Sequence, residues 1–430
     1  MKQYNTIFKE LKNFLILWST QSLSALGSSM TSFALIIWSY QQQGSAFTTA
    51  LLSVCTYAPY VLMSIFAGAL SDKWSKKVVM LVCDSLAALS TVIVLVLLRT
   101  GNLQMWHIYC LNAVNGLMNT IQKPAADVTV SLLTPEKHYQ RVSGLQSFSN
   151  SLIGILTPMI ATPVIAFFGL KAVIYFDLFT FGIAFFTLLR FVKIPEMKKE
   201  QSGTESVLMS AKAGLSYLKR NRGILDVIFF LAAINLTASI YNAALPAMLL
   251  SRNGGSEMAL GIVNTVTGLA MLAGSVIVSF LPAPKSRVRI ICNTLLLSMS
   301  TENFFLAFGQ SVPVWCIGAV LGWISIPLMN ANLDVLLRTN IPIEMQGRVY
   351  AARNTLQFFT IPVGYLLGGI LVDQVFEPFM ALQKGGSILQ TFFGQGKGSG
   401  AALLFFVIAF IGVITCLIFR KDRHIWELER

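Results

Sequence analysis

Apolar residues fall into twelve runs long enough to cross a bilayer core: 14–40, 46–70, 78–98, 105–122, 144–168, 171–192, 224–249, 259–281, 289–308, 313–336, 350–373 and 400–419. A hydrocarbon core takes about 20 apolar residues per helix, so each run predicts a spanning helix. Near the middle the pattern changes. Residues 193–223 are polar and basic, and Gln201-Ser202-Gly203-Thr204 reads as a flexible link. Within them Val207, Leu208, Ala211, Leu215 and Leu218 recur at helical spacing opposite basic positions, which predicts an amphipathic helix on the cytoplasmic surface. The expected organisation is a six-helix bundle over 1–192, a cytoplasmic linker over 193–223 and a second six-helix bundle over 224–430.

Composition agrees with the pattern. Hydrophobic residues make up 55% of the chain and charged residues 12%, which excludes an ordinary soluble domain of this length. Of the 32 Lys and Arg, all but Arg99, Lys171, Arg252, Lys384 and Lys397 fall at the termini, in even-to-odd connections or at adjoining helix ends. The positive-inside rule therefore predicts a multi-pass membrane protein with both termini in the cytoplasm. The net charge of +13 follows from this topology and the anionic leaflet, and needs no nucleic acid.

Cys55, Cys83, Cys110, Cys292, Cys316 and Cys416 are scattered through apolar runs without metal-ligand spacing, and read as small buried hydrophobes. His107, His138 and His424 form no cluster along the chain. Without a nucleophile motif, metal set or phosphate-binding loop, the sequence predicts neither an enzyme nor a cofactor.

Asp127-Val128, Pro135 and Arg141-Val142 recur as Asp334-Val335, Pro342 and Arg348-Val349, offset by 207 residues, after the fourth span of each half. This faint repeat predicts duplicated, pseudo-symmetric halves that rock about a midplane path. The short gap between the second and third runs reads Gly68-Ala69-Leu70-Ser71-Asp72-Lys73-Trp74-Ser75-Lys76-Lys77. Its counterpart, Ser279 to Arg287, keeps basic residues but loses the glycine and the aspartate. Gly68, Asp72, Lys73 and Lys77 are accordingly candidate gating residues, with Arg141 and Arg348 of the repeat.

Polar stripes indicate a cavity, because an amide facing lipid lacks partners. Gln21, Ser24, Ser28 and Thr31 share a face of the first span, and Asn112, Asn115, Asn119 and Lys123 one of the fourth. Asn235, Ser239 and Asn242 do so in the seventh. Ser325, Asn330 and Asn332 lie in the tenth, Asn354 and Gln357 in the eleventh. Trp38, Tyr57, Phe148, Tyr241, Met271, Trp323 and Phe358 are candidates for its apolar walls. The substrate-binding candidates are Gln21, Ser28, Trp38, Asn112, Asn115, Asn119, Asn235, Tyr241, Asn242, Trp323, Asn330 and Gln357. Intramembrane Glu302, Asp177 and Asp84 are candidates for coupling, since a desolvated carboxyl can hold and release a proton as water access alternates.

The loop from Gly68 to Lys77 resembles the one between the second and third helices of the major facilitator superfamily. Pro342-Ile343-Glu344-Met345-Gln346-Gly347-Arg348-Val349, Lys123-Pro124-Ala125, Tyr175-Phe176-Asp177 and the outer segment 374–399 are similar to the macrolide-efflux branch of its bacterial drug:proton antiporters. The resemblance covers nearly the whole chain. It implies an all-α membrane protein of twelve transmembrane helices in the major facilitator fold, with the first, fourth, seventh and tenth spans around the cavity. It also implies a monomeric exporter of amphipathic or hydrophobic small molecules that exchanges protons in a lipid setting. Asn115 stands where many such antiporters carry an arginine, and Ile153-Gly154-Ile155-Leu156-Thr157-Pro158 keeps only the proline of their Gly-x-x-x-Gly-Pro pattern. A carrier of lipids or lysolipids between leaflets and a non-transporting membrane sensor are the alternative readings.

Overall fold

In the computed structural model the backbone is described for residues 10–73, 75–135, 138–195, 207–282 and 284–429. Side chains are described for these apart from 64–73, 139–141, 143–144, 147, 207–213, 279–280, 338, 343–348 and 350–351. Every regular element among them is helical. In chain order these are α1 (Lys12–Gln43), α2 (Ala46–Lys73), α3 (Lys76–Arg99), α4 (Met105–Leu133) and α5 (Tyr139–Arg190). After the linker come α6 (Val207–Arg220), α7 (Arg222–Ser251), α8 (Glu257–Phe280) and α9 (Arg287–Phe308). They are followed by α10 (Val312–Trp323), α11 (Ile326–Asn340), α12 (Ile343–Phe358), α13 (Thr360–Ile370) and a π-helical turn, Leu371–Phe376. The chain closes with α14 (Glu377–Ala381), α15 (Ile388–Phe393), α16 (Ser399–Arg420) and α17 (Arg423–Glu427).

Among the described residues, ten helical segments are long and apolar enough to cross a membrane. One of them, 148–190, contains a break at Gly169, whose φ of 75° is open to glycine and closed to most other residues. That break falls between the fifth and sixth predicted spans. The fourth predicted span lies in α4, which runs on to Leu133 through Pro124 and polar residues and is not among those ten segments. The tenth predicted span is one segment, 312–337, made of α10 and α11 with an irregular turn at Ile324 and Ser325, where the dihedrals stay helical (φ −61°, ψ −28° and φ −89°, ψ −14°). Pro327 is the reason: it has no N–H for the carbonyl four residues back, and its ring crowds that carbonyl.

The chain packs as two compact units, residues 1–35 with 55–207 and residues 36–54 with 208–430. The division read from the sequence placed 36–54 with the first bundle. In the first unit, Phe14, Leu17, Met80, Ala125, Leu133 and Leu188 form one buried cluster. In the second, Ile228, Leu231, Leu295, Leu333 and Leu337 form another. Leu218 of α6 is buried in that second cluster, and the Tyr217 hydroxyl donates to the Asn340 carbonyl at 3.2 Å. The amphipathic helix is thus docked on its own unit by its C-terminal turn.

Without a hydrophobic drive inside lipid, close backbone approach holds spanning helices together. Gly364 and Gly368 of α13 supply it against α7, where an added Cβ would sit 2.6 Å and 2.9 Å from the Leu236 and Ile240 carbonyl oxygens. Large apolar side chains turn outward instead: Phe167 and Phe168 are 77% and 74% exposed, as a lipid-facing surface requires. The repeat is visible in the backbone. α4 ends on Thr134 (φ −119°, ψ 121°) and α11 on Ile341 (φ −115°, ψ 119°), 207 residues apart, and a proline follows each.

Candidate functional site

Each of the three intramembrane acids is held by polar side chains from helices that carry the predicted stripes. In the first unit, Asp84 of α3 accepts from Gln21 Nε2 at 3.2 Å and from Gln122 Nε2 at 2.5 Å, one carboxamide on each oxygen. Gln21 comes from α1 and Gln122 from α4, so the acid ties both helices to α3. Asp177, 4% exposed in the second stretch of α5, accepts from the Ser28 hydroxyl at 3.0 Å. Gly27 permits this contact, since an added Cβ would lie 2.9 Å from the Asp177 Cα.

Gln21 and Gln122, the partners of Asp84, also line a cavity of about 670 Å³. Trp18, Gln21, Asn119, Gln122, Gln146 and Asn150 line it, along with apolar Phe14, Leu17 and Ile153. The Trp18 indole is fixed by hydrogen bonds from Nε1 to the Leu145 carbonyl (3.2 Å) and the Ser149 hydroxyl (3.1 Å). With Lys123 and Asp127 also in the lining, an indole wall and several carboxamides suit a ligand that is apolar over much of its surface and carries polar or charged groups. Asn115, outside this lining, has a buried Oδ1 with no partner among the described residues.

In the second unit, Glu302 of α9 is 5% exposed. Its Oε1 accepts from the Tyr241 hydroxyl at 2.5 Å and from Trp323 Nε1 at 2.8 Å. Tyr241 lies on α7 and Trp323 is the last residue of α10, at the irregular turn before Pro327. Gly322 makes the cluster possible: a Cβ there would fall 2.6 Å from both Cβ and Oε2 of Glu302. Sequence reasoning assigned Glu302 a coupling role and the two aromatics a substrate role. The structure joins all three in one hydrogen-bonded group beside this turn.

Other expected site residues are dispersed. Asn235 donates to the Gln357 carbonyl at 3.3 Å, while the Gln357 side chain accepts from Arg353 Nε at 2.9 Å and is buried. Asn242 and Asn330 are exposed, and Trp38 and Asn112 are half-buried. Lys77 caps the end of α5, donating to the Leu189 and Val192 carbonyls at 3.0 Å and 2.8 Å. The side chains of Asp72, Lys73, Arg141 and Arg348, with Gly68 in the same stretch, lie outside those described. Reading single positions missed Gln122, three residues beyond Asn119 on the same face of α4, and Trp18, a turn before Gln21.

Two features had no signal along the chain. Asp226, Asp422 and His424 come together at one end of the second unit, with His424 Nδ1 3.1 Å from Asp226 Oδ2. The half-exposed imidazole thus sits against both carboxylates, with Asp422 Oδ1 at 3.5 Å. Arg252, 4% exposed, donates to the Leu306, Ala307 and Phe393 carbonyls at 2.8–3.1 Å. Burial pulls its pKa down to about 10, so it remains a cation at neutral pH.

Spanning helices, buried acids bound by polar side chains and a carboxamide-lined cavity fit a membrane transporter. The profile of the Major Facilitator Superfamily matches residues 17–238, and the chain belongs to that family. It is a transporter, not an enzyme. Its sequence is similar to "Macrolide efflux protein A" of Streptococcus pyogenes, with 22% identity over 379 residues, 87% of this chain and 92% of that protein. It is also similar to "Multidrug efflux pump Tap" of Mycolicibacterium fortuitum, with 23% identity covering 84% of this chain and 88% of the pump. In fold it matches a mutant form of the nucleoside transporter NupG with a TM-score of 0.70 at 14% identity, over 95% of this chain and 99% of that one.

Proposed function

We propose that this transporter exports amphipathic small molecules in exchange for protons, with Glu302 as the coupling acid. The observation that carries the reading is the buried Glu302 carboxyl, bound by Tyr241 and by Trp323 at the irregular turn between α10 and α11. A bare carboxylate at this depth is costly. Both donors fall on Oε1, which leaves Oε2 to take and give a proton.

The cavity of the first unit supports the substrate side of the proposal. Its Trp18 wall and carboxamides fit apolar compounds that carry polar or charged groups, in keeping with relatives named for macrolide and multidrug efflux. Asp84 is already engaged by two carboxamides, so it is a weaker counter-ion for a cationic ligand than a free carboxylate. Membrane insertion with both termini in the cytoplasm and action as a monomer complete the reading.

Flux into liposomes containing the purified protein tests it, using a panel of macrolides and amphipathic dyes with and without an imposed pH gradient. Gradient-driven accumulation of at least one compound is expected. Movement of fluorescent lysolipids without a gradient, and no flux of any drug, would replace the exporter with a lipid carrier.

A further inference from the structure

The corner between α1 and α2 is gripped at both helix ends by side chains of matching charge. At the start of α2, one carboxylate oxygen of Asp373 accepts from the Ser45 hydroxyl (2.6 Å) and the Phe47 amide (2.9 Å). The other oxygen accepts from the Ala46 amide at 3.1 Å. At the end of α1, Lys397 Nζ donates to the Gly44 carbonyl at 2.6 Å and lies 5.6 Å from the centre of the Tyr40 ring. A helix presents free amides and partial positive charge at its start, and free carbonyls and partial negative charge at its end. The acid meets the positive end of α2, and the base meets the negative end of α1.

The surrounding contacts make this a fitted seat. Asp373 stands in the π-turn, a geometry found mostly as single-turn bulges at functional sites. Four residues earlier, Gly369 admits the backbone of α2, because an added Cβ would meet the Phe47 Cα at 2.5 Å. The Tyr40 hydroxyl bonds the Ala247 carbonyl at 3.2 Å and the Ser251 hydroxyl at 3.1 Å. Ala46, Thr49 and Ala50 are 0%, 4% and 1% exposed in consequence. These contacts are why residues 36–54 pack in the second unit, while the rest of α1 and α2 packs in the first.

We infer that Asp373 and Lys397 form a releasable clasp on the α1–α2 corner, and that alternating access requires the corner to leave this seat. Both act as positioning residues, and neither touches substrate. A chain whose first two spans are divided between two rigid units cannot rock those units apart without either bending both helices or moving the corner out of its seat. The seat is held by hydrogen bonds to the two helix ends, with Tyr40 and Gln41 adding side-chain hydrogen bonds to Ala247, Ser251 and Glu257, polar contacts that water can replace once the seat opens. The inference rests on the chain being a transporter and is independent of which compound it carries.

The test is thiol labelling without substrate, in protein whose six native cysteines are replaced by alanine. Thr49→Cys places a near-isosteric reporter under the corner, and a membrane-impermeant maleimide is applied from the side that bears residues 382–398. Labelling is expected to be slow in the parent and about tenfold faster with Asp373→Asn or Lys397→Met, the scale of one lost helix cap. In the same background, Ala307→Cys alone, at a position 0% exposed near the outer end of α9, should stay unlabelled in all variants, separating release of the corner from general loosening. The charge-swapped pair Asp373→Lys with Lys397→Asp should label at least as fast as either single variant, because each charge then opposes its helix end. Labelling that is unchanged in both single variants, or slowed to the parent rate by the swap, overturns the clasp. A wrong guess at the exported compound affects none of these readings.

Discussion

Glu302 depends on a neighbour that has no side chain. Gly322 lies against it so closely that a methyl group would have to displace the carboxyl from Tyr241 and Trp323. Overpacking of this kind costs about 1–3 kcal/mol. Gly322→Ala is therefore expected to lower the melting temperature of the purified protein by a few degrees and to reduce transport by more than its stability loss explains. Unchanged melting and flux would mean that α10 is free to move away from α9 at this point. The acids themselves were legible in the sequence, because a charge inside an apolar run requires a partner. Their partners were not. Tyr241 and Trp323 lie 61 and 21 residues from Glu302, and only the packing of α7 and α10 on α9 shows that they share one oxygen.

Among the elements, the irregular turn between α10 and α11 is the one the hydrophobic pattern concealed. The run 313–336 is continuous in hydropathy, and Pro327 was the only local sign of an irregularity. Prolines at 59, 124, 158, 163 and 246 lie inside unbroken helices, so proline alone does not decide. Here Gly274 of α8 does: an added Cβ would strike the Ile324 carbonyl oxygen, so α8 has made room for the displaced turn. Pro327→Ala should let α10 run into α11 and draw Trp323 off Glu302. The expected result is a folded protein with transport reduced several-fold, read from flux together with the melting curve. Full activity would show that the turn is incidental to the transport path.

For the whole molecule, the alternation of apolar runs with basic connections predicts sidedness, and the predicted outer end carries the folded segment 371–398. Exposed Lys384 lies in that segment and exposed Arg423 in α17. Single-cysteine variants at these positions should divide cleanly, Lys384→Cys reacting with impermeant maleimide from outside cells and Arg423→Cys only after permeabilisation. The reverse pattern would invert the topology and, with it, the direction of export. Much of the architecture was readable because duplication left matching punctuation: the caps at Thr134 and Ile341 and the prolines after them recur at one offset. The assignment of residues 36–54 to the second unit was not readable, since it arises from Asp373 and Lys397, more than 300 residues away in the chain.

Proton coupling rests on Glu302 carrying the proton, and Glu302→Gln tests that directly. The amide oxygen of glutamine can still accept from Tyr241 and Trp323, while the group no longer titrates. In liposomes loaded with a transported compound, the variant should exchange internal for external compound at near the wild-type rate and lose accumulation driven by a pH gradient by at least about tenfold. Gradient-driven accumulation equal to wild type would remove Glu302 from the coupling step and contradict the mechanism.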